Sequence, residues 1–336
     1  MPGWIVSRRT RLCVHNVQMP DSVPTLDFAA VDTTAFARDI HAAYERYGFV
    51  VIRGHGIPQD LTQQFLGAYR AFFALAEADK RRYHVPGGGG ARGYTPFGIE
   101  TAKGAQHHDL KEFWHVGREH VPGAAWTKDI PPNLWPTEIA GFKEKTWALY
   151  QALESLGDRV LRAVALGLGL REDYFADKTD HGNSILRPIH YPPIRQGLGD
   201  PESVRSGQHE DINLITLLIG SGEPGLQVLS LKGEWIPVTT IPETIVVNVG
   251  DMLQRLTNNV LRSTTHRVVN PPSPFAEVPR YSIPFFLHPN SEFLIKSLPG
   301  CVTAENPEHY PEPITANEYL TQRLIEIGLL PGKPAA

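Results

Sequence analysis

Residues 206–220 read SGQHEDINLITLLIG. A histidine and two acids, His209, Glu210 and Asp211, stand at the mouth of an apolar run with the makeup of a buried strand. A strand entering a core normally sheds charge, because an unpaired buried ion is costly. A bound cation would neutralise part of that cluster. Side chains two apart on a strand share a face, so His209 and Asp211 are expected to point inward together and Glu210 outward.

The surrounding sequence fits a β core. After residue 182, short apolar runs alternate with Gly, Pro and Asn turns: SILRPIHYPP, NLITLLIG, GLQVLSL, EWIPV, TIVVNVG, HRVVN and RYSIPFFLHP. Short strands at such close spacing imply an all-β barrel or sandwich. The N-terminal part reads differently. DTTAFARDIHAAYERYG is a capped helix closed by Gly48, FVVIRGHGI a strand, and LTQQFLGAYRAFFAL a second helix. Helical spacing over Thr137 to about Leu170 carries Phe142, Leu149, Leu153, Leu156, Val160 and Val164. ITANEYLTQRLIEIGLL closes the chain as a helix, with Thr315 and Glu318 spaced as a capping box.

RSTTHRVVN supplies a second histidine, His266, at the start of another β-like run. Two histidines and one carboxylate suit non-haem Fe(II) with positions left open, and zinc would accept the same three ligands with a water. H-x-D is a short pattern in a chain with 14 histidines, so alone it marks surface chemistry more often than a metal site. Here it leads an apolar strand and has a partner downstream. RYSIPFF places Arg280 and Ser282 two apart, again on one face. A guanidinium fork beside a hydroxyl is a good carboxylate receptor. The plainer alternative is that Arg280 pairs with an internal acid.

The bulk properties exclude several functions. The 336 residues suffice for one large domain or two modest ones. The net charge of −4 and the lack of a basic block argue against nucleic acid and anionic membranes as partners. Cys13 and Cys301 form no disulfide framework, which fits a reducing cytoplasm. No apolar run reaches the length of a membrane span. Residues 1–18 are basic but lack the apolar block of a secretory signal, and are expected to be a disordered extension or a misassigned start before MPDSVPTLDF.

HEDINLITLL, GLQVLSLKGEWIPV, VVNVGDMLQRLTNNVLRSTTHRVVNP and RYSIPFFLHP together resemble the isopenicillin N synthase-like Fe(II)/2-oxoglutarate oxygenases. VPTLDF, YGFVVIRGHGI, KRRY, RGYTPFG and DLKEFWHVG follow the same family order, so the resemblance spans about residues 23 to 325. It implies an α+β, mainly β fold: a distorted double-stranded β-helix, or jelly roll, flanked by helices. The segments would be a mostly helical region at 19–180, the β-helix core at 181–312 and a C-terminal helix and tail at 313–336. It further implies that His209, Asp211 and His266 bind Fe(II), and that Arg280 and Ser282 hold the distal carboxylate of 2-oxoglutarate with help from Tyr191. Ile189 stands where many plant relatives carry an asparagine that also touches this cosubstrate.

The implied reaction consumes O2 and 2-oxoglutarate, releases succinate and CO2, and hydroxylates or desaturates a small metabolite, with ascorbate as a supporting reductant. Rivals within the family are a 2-oxoglutarate-independent oxidase of the isopenicillin N synthase type and an enzyme that fragments 2-oxoglutarate to ethylene. Outside it stand a zinc hydrolase and a metal-free binding module. A cytoplasmic monomer is the expected state, and a small, carboxylated metabolite the expected substrate. Phe113, Phe285 and Phe286 are candidates to line the pocket, with at least one of them plain core. Arg267 should face away as a structural residue, QHHD at 106–109 reads as loop, and GGGG at 87–90 as a mobile connector.

Overall fold

The computed structural model describes residues 22–330 apart from 31–33, 89–90, 102–105, 195–197, 221, 239–240 and 328–329. Residues 1–18 therefore lie outside the described residues, as does half of the 87–90 glycine run.

The apolar residues of Thr34–Tyr47 (α1) recur every three or four positions, and Phe36, Ile40, Ala43 and Tyr44 are buried along one face. Gly48 ends the helix at φ 66°, a conformation that suits glycine, and a Cβ there would lie 2.3 Å from the Arg262 carbonyl oxygen. Gln59–Phe73 (α2), Glu77–Arg81 (α3) and Phe142–Gly167 (α4) follow. The long helix begins at Phe142 rather than near Thr137, because Gly141 takes the left-handed conformation at φ 67° and breaks the helical path. Its buried side includes Leu149, Tyr150, Leu153, Leu156, Val160, Leu161 and Val164. Each such fully buried large side chain contributes about 1.5–3 kcal/mol. Ala176–Thr179 (α5), Asp251–Leu256 (α6) and Ala316–Glu326 (α7) complete the helices described. In α7, the Thr315 side chain accepts from the Glu318 backbone and the Glu318 side chain accepts from Thr315, which is the capping box that the spacing predicts.

Thr25–Asp27 (β1), Phe49–Arg53 (β2), Gly93–Thr95 (β3), Glu112–Gly117 (β4), Ile185–Leu186 (β5) and Ile189–Tyr191 (β6) come first among the strands. Ser206–His209 (β7), Ile215–Ile219 (β8), Leu226–Leu229 (β9), Trp235–Pro237 (β10) and Thr244–Val249 (β11) follow. His266–Val268 (β12) and Arg280–Leu287 (β13) close the core. The large sheet runs β1-β2-β11-β8-β13-β5-β4-β3, with β6 paired to β13 and β4. A smaller sheet runs β10-β9-β12-β7. Every pairing in these sheets is antiparallel except β1 with β2.

Alternation along the strands gives the large sheet two faces. Ile215 and Leu217 of β8 join the helices in one core, while Leu218 packs with Phe49, Val51, Leu226, Val228, Val246 and Val268 between the sheets. This two-sheet sandwich with a helical back is the double-stranded β-helix. No helix among the described residues is long and apolar enough to cross a membrane.

Candidate metal centre and cosubstrate pocket

β7 and β12 pair so that His209 lies opposite His266. Asp211 is not on the strand, however. β7 ends at His209, and Asp211 sits in the turn that leads to β8, so its inward aim comes from that turn and not from strand alternation. Glu210 points elsewhere and accepts a hydrogen bond from Thr265 Oγ1 at 3.0 Å.

The ligand atoms of His209, Asp211 and His266 all lie within 4.8 Å of one another. Each histidine Nε2 is 3.8 Å from Asp211 Oδ1. Ligands each bonded at about 2 Å to one ion stand about 3–4 Å apart, so this spacing accepts a cation. The Nδ1 atoms of His209 and His266 face the carbonyl oxygens of Gly207 at 2.8 Å and Thr264 at 3.1 Å. A carbonyl only accepts, so each Nδ1 carries the proton and each Nε2 offers its lone pair to the shared point. Burial, then the neighbouring His266, push His209 down to about 4, which keeps it neutral near pH 7.

Asp211 is 6% exposed. Its Oδ2 accepts from Thr216 Oγ1 at 2.6 Å and from Asn248 Nδ2 at 2.8 Å, which leaves Oδ1 for an ion. Burial alone would raise its pKa, but the two histidines and these two donors outweigh it and hold the carboxyl below its ordinary value. The site thus presents two imidazole nitrogens and one carboxylate oxygen to a shared point.

A cavity between the sheets includes this centre and the predicted cosubstrate residues Tyr191, Arg280 and Ser282. Arg280 and Ser282 line it from one face of β13, as their spacing predicts. Arg280 is 1% exposed, and its Nε and Nη1 have no hydrogen-bond partner. It makes no ion pair among the described residues, so the internal-acid alternative does not hold. The Arg280 Cζ lies 5.0 Å from the centre of the Tyr191 ring, its register partner on β6. Ile189 lines the same cavity as an apolar wall.

The three phenylalanines separate. Phe286 lines the cavity. Phe285 is core, edge-on to Tyr150 at 5.1 Å. Phe113 is buried behind Arg187, whose Cζ lies 4.5 Å from its ring centre. Arg267 turns away, donating to Gln227 Oε1 at 2.9 Å and covering Trp235. QHHD does run as loop, but Asp109 within it is a buried anchor that accepts from the Gly207 amide at 2.9 Å.

Several residues at the site escape sequence reasoning. Lys111 and Arg187 line the cavity, although DLKEFWHVG and SILRPIHYPP give no sign of it. Arg205 is fully buried, donates Nη2 to the Phe275 carbonyl at 3.2 Å, and leaves Nε and Nη1 without partners. Burial, then the nearby Arg280, lower its pKa. Its position four residues before His209 is the only sequence signal it has.

This two-sheet core, with a cation-ready triad facing an unpaired buried arginine, defines a class of metal-dependent oxidoreductase. The family comparisons agree. Residues 23–138 match the model described as non-haem dioxygenase in morphine synthesis N-terminal, and residues 182–289 match the 2OG-Fe(II) oxygenase superfamily. A 2-oxoglutarate-Fe(II) type oxidoreductase, hxnY, of Emericella nidulans is 32% identical, with 89% of this chain and 88% of that protein covered. A 2OG-Fe(II) oxygenase family protein from Caulobacter crescentus superposes with a TM-score of 0.84 at 50% identity, covering 91% of this chain and 99% of that one. A full-length Neurospora crassa protein, solved in complex with alpha-KG and thymine, gives 0.80 at 33% identity, covering 90% and 96%. The chain belongs to the 2OG-Fe(II) oxygenase superfamily. It is an Fe(II)- and 2-oxoglutarate-dependent dioxygenase that acts on small molecules.

Proposed function

We propose that His209, Asp211 and His266 hold the Fe(II), and that Arg280, with Ser282 and Tyr191, receives the distal carboxylate of 2-oxoglutarate. The observation that carries this reading is the Arg280 guanidinium, buried without a partner in the cavity that the triad shares. A buried, unpaired guanidinium is costly unless an anion completes it. Bound iron supplies the redox chemistry by which O2 is activated with 2-oxoglutarate as co-reductant. One oxygen atom enters succinate as CO2 leaves, and the other reaches the hydroxylated substrate.

The chain's own residues supply position and exclusion of water. Asn248 and Thr216 fix the Asp211 carboxylate, and the Gly207 and Thr264 carbonyls fix the two imidazoles. Arg280 orients the keto acid from its far end, so that its keto end faces the metal. In this reading the protein is a cytoplasmic monomer, its two cysteines fitting a reducing compartment, and its net charge of −4 without a basic block argues against a nucleic-acid partner.

Anaerobic addition of Fe(II) and 2-oxoglutarate tests the assignment. Wild type is expected to develop a weak visible charge-transfer band that disappears in His266→Ala and Arg280→Ala. Arg280→Ala should still bind Fe(II). A wild-type protein that takes up iron yet never shows the band would defeat the cosubstrate assignment and favour the 2-oxoglutarate-independent oxidase.

A further inference from the structure

Lys111, Arg187 and Arg280 are the lysine and arginines among the described residues that line the cavity. Arg280 is reserved for 2-oxoglutarate under the proposed function, on which this inference rests. The other two are already answered. Lys111 Nζ lies 2.7 Å from Glu100 Oε1 and 2.9 Å from Asp109 Oδ2. Arg187 Nη1 lies 3.5 Å from Glu100 Oε2. Two cations thus face two carboxylates. Burial opposes the charge on Lys111, but Glu100 and then Asp109 outweigh it and raise its pKa. Burial also opposes the charge on Glu100, but Lys111 and Arg187 outweigh it and keep it ionised.

The rest of the loaded site balances as well. A divalent ion with Asp211 and Arg280 carries the charge that a dianionic 2-oxoglutarate cancels. A substrate carboxylate would meet no unengaged cation among the side chains that line the cavity, since Arg205, buried beside Arg280, is not one of them, and it would lose its hydration without return. Arg187 still offers a neutral group something. Its Nε is engaged by His115 and its Nη1 by Glu100, while Nη2 has no hydrogen-bond partner among the described residues. Ile189, Leu218 and Phe286 make the nearby wall apolar.

We infer that the part of the primary substrate that enters the cavity is uncharged and carries a carbonyl-type hydrogen-bond acceptor for Arg187, and that Glu100 sets this preference by cancelling the Lys111 and Arg187 charges. Glu100 is a specificity-determining residue, and the carboxylated metabolite expected from sequence does not suit this cavity.

Calorimetric titration of the anaerobic protein loaded with Fe(II) and 2-oxoglutarate, using benzoate and benzamide as probes, tests this. Wild type should bind benzoate no better than benzamide. Glu100→Gln should gain at least tenfold in benzoate affinity, and Glu100→Asp, which keeps the charge, should not. Benzoate bound by wild type as tightly as by Glu100→Gln overturns the inference. The charge-transfer band is the control: its loss from wild type refutes the cosubstrate reading, whereas its presence with benzoate preferred refutes only the substrate charge. Should Glu100→Gln fail to fold, matched acid and amide pairs on wild type decide the matter by succinate release. Consistent stimulation by the acids overturns the inference, and stimulation by the amides alone upholds it.

Discussion

Asp211 shows how much depends on groups that never touch a reactant. Its Oδ2 is held by Thr216 and Asn248, so only Oδ1 remains for an ion. Removing one such support commonly costs 10–100-fold in metal affinity. Asn248→Ala is therefore expected to weaken Fe(II) binding by about tenfold or more, as measured by anaerobic titration, with little change in the far-UV spectrum. Unchanged affinity would show that Thr216 alone suffices. The three proposed ligands were legible because histidine and aspartate in an H-x-D pattern, with a later histidine, are chemically distinctive. Asn248 was not. It sits in a run of valines and meets Asp211 only because β11 pairs with β8, opposite Thr216. Lys111, Arg187 and Arg205 were invisible for a similar reason: in sequence a cation reads as surface, and only the packing shows that Lys111 and Arg205 are buried and Arg187 half-buried.

The turn between β7 and β8 is the element on which the proposed ligand set depends. It is tied to the start of α6, where the Gly250 amide donates to the Leu214 carbonyl and the Asp251 amide to the Asp211 carbonyl, both at 2.9 Å. A Cβ on Gly250 would lie 2.2 Å from the Asn213 carbonyl oxygen and 2.0 Å from its side-chain oxygen. Backbone cannot yield as a side chain can. Gly250→Ala is expected to cost roughly 1–3 kcal/mol or more, seen as a lower unfolding midpoint, together with weaker iron binding. A variant with normal stability and normal iron affinity would show that the turn can relax. Strand logic worked for Arg280 and Ser282 because β13 runs extended through both. It gave the correct aim for Asp211 through the wrong element, since the strand stops at His209. Hydrophobic period marks where elements lie, and it carries little information on where a strand gives way to a turn.

Across the molecule, the packing also holds some buried titratable groups in their neutral form. His288, just past β13, is the clearest case. It is 6% exposed, its Nδ1 donates to the Phe286 carbonyl at 3.1 Å, and its amide donates to Ser184 Oγ at 3.1 Å. Burial pushes it from an ordinary value of 6.5 down to about 4. Between those values the unfolded chain takes a proton that the folded chain refuses, so stability is complete above about pH 6.5 and falls as the pH drops towards about 4. The loss from this one residue reaches about 2 kcal/mol by about pH 5 and about 3 kcal/mol by about pH 4. Denaturant unfolding of the metal-free protein with a chelator, at about pH 7.5 and about pH 5, should show wild type losing that much more than His288→Gln. The glutamine keeps a donor for the Phe286 carbonyl but cannot titrate. Equal losses in the two proteins would mean that His288 accepts its proton without unfolding, and that the acid sensitivity of the fold lies with other groups, such as His209.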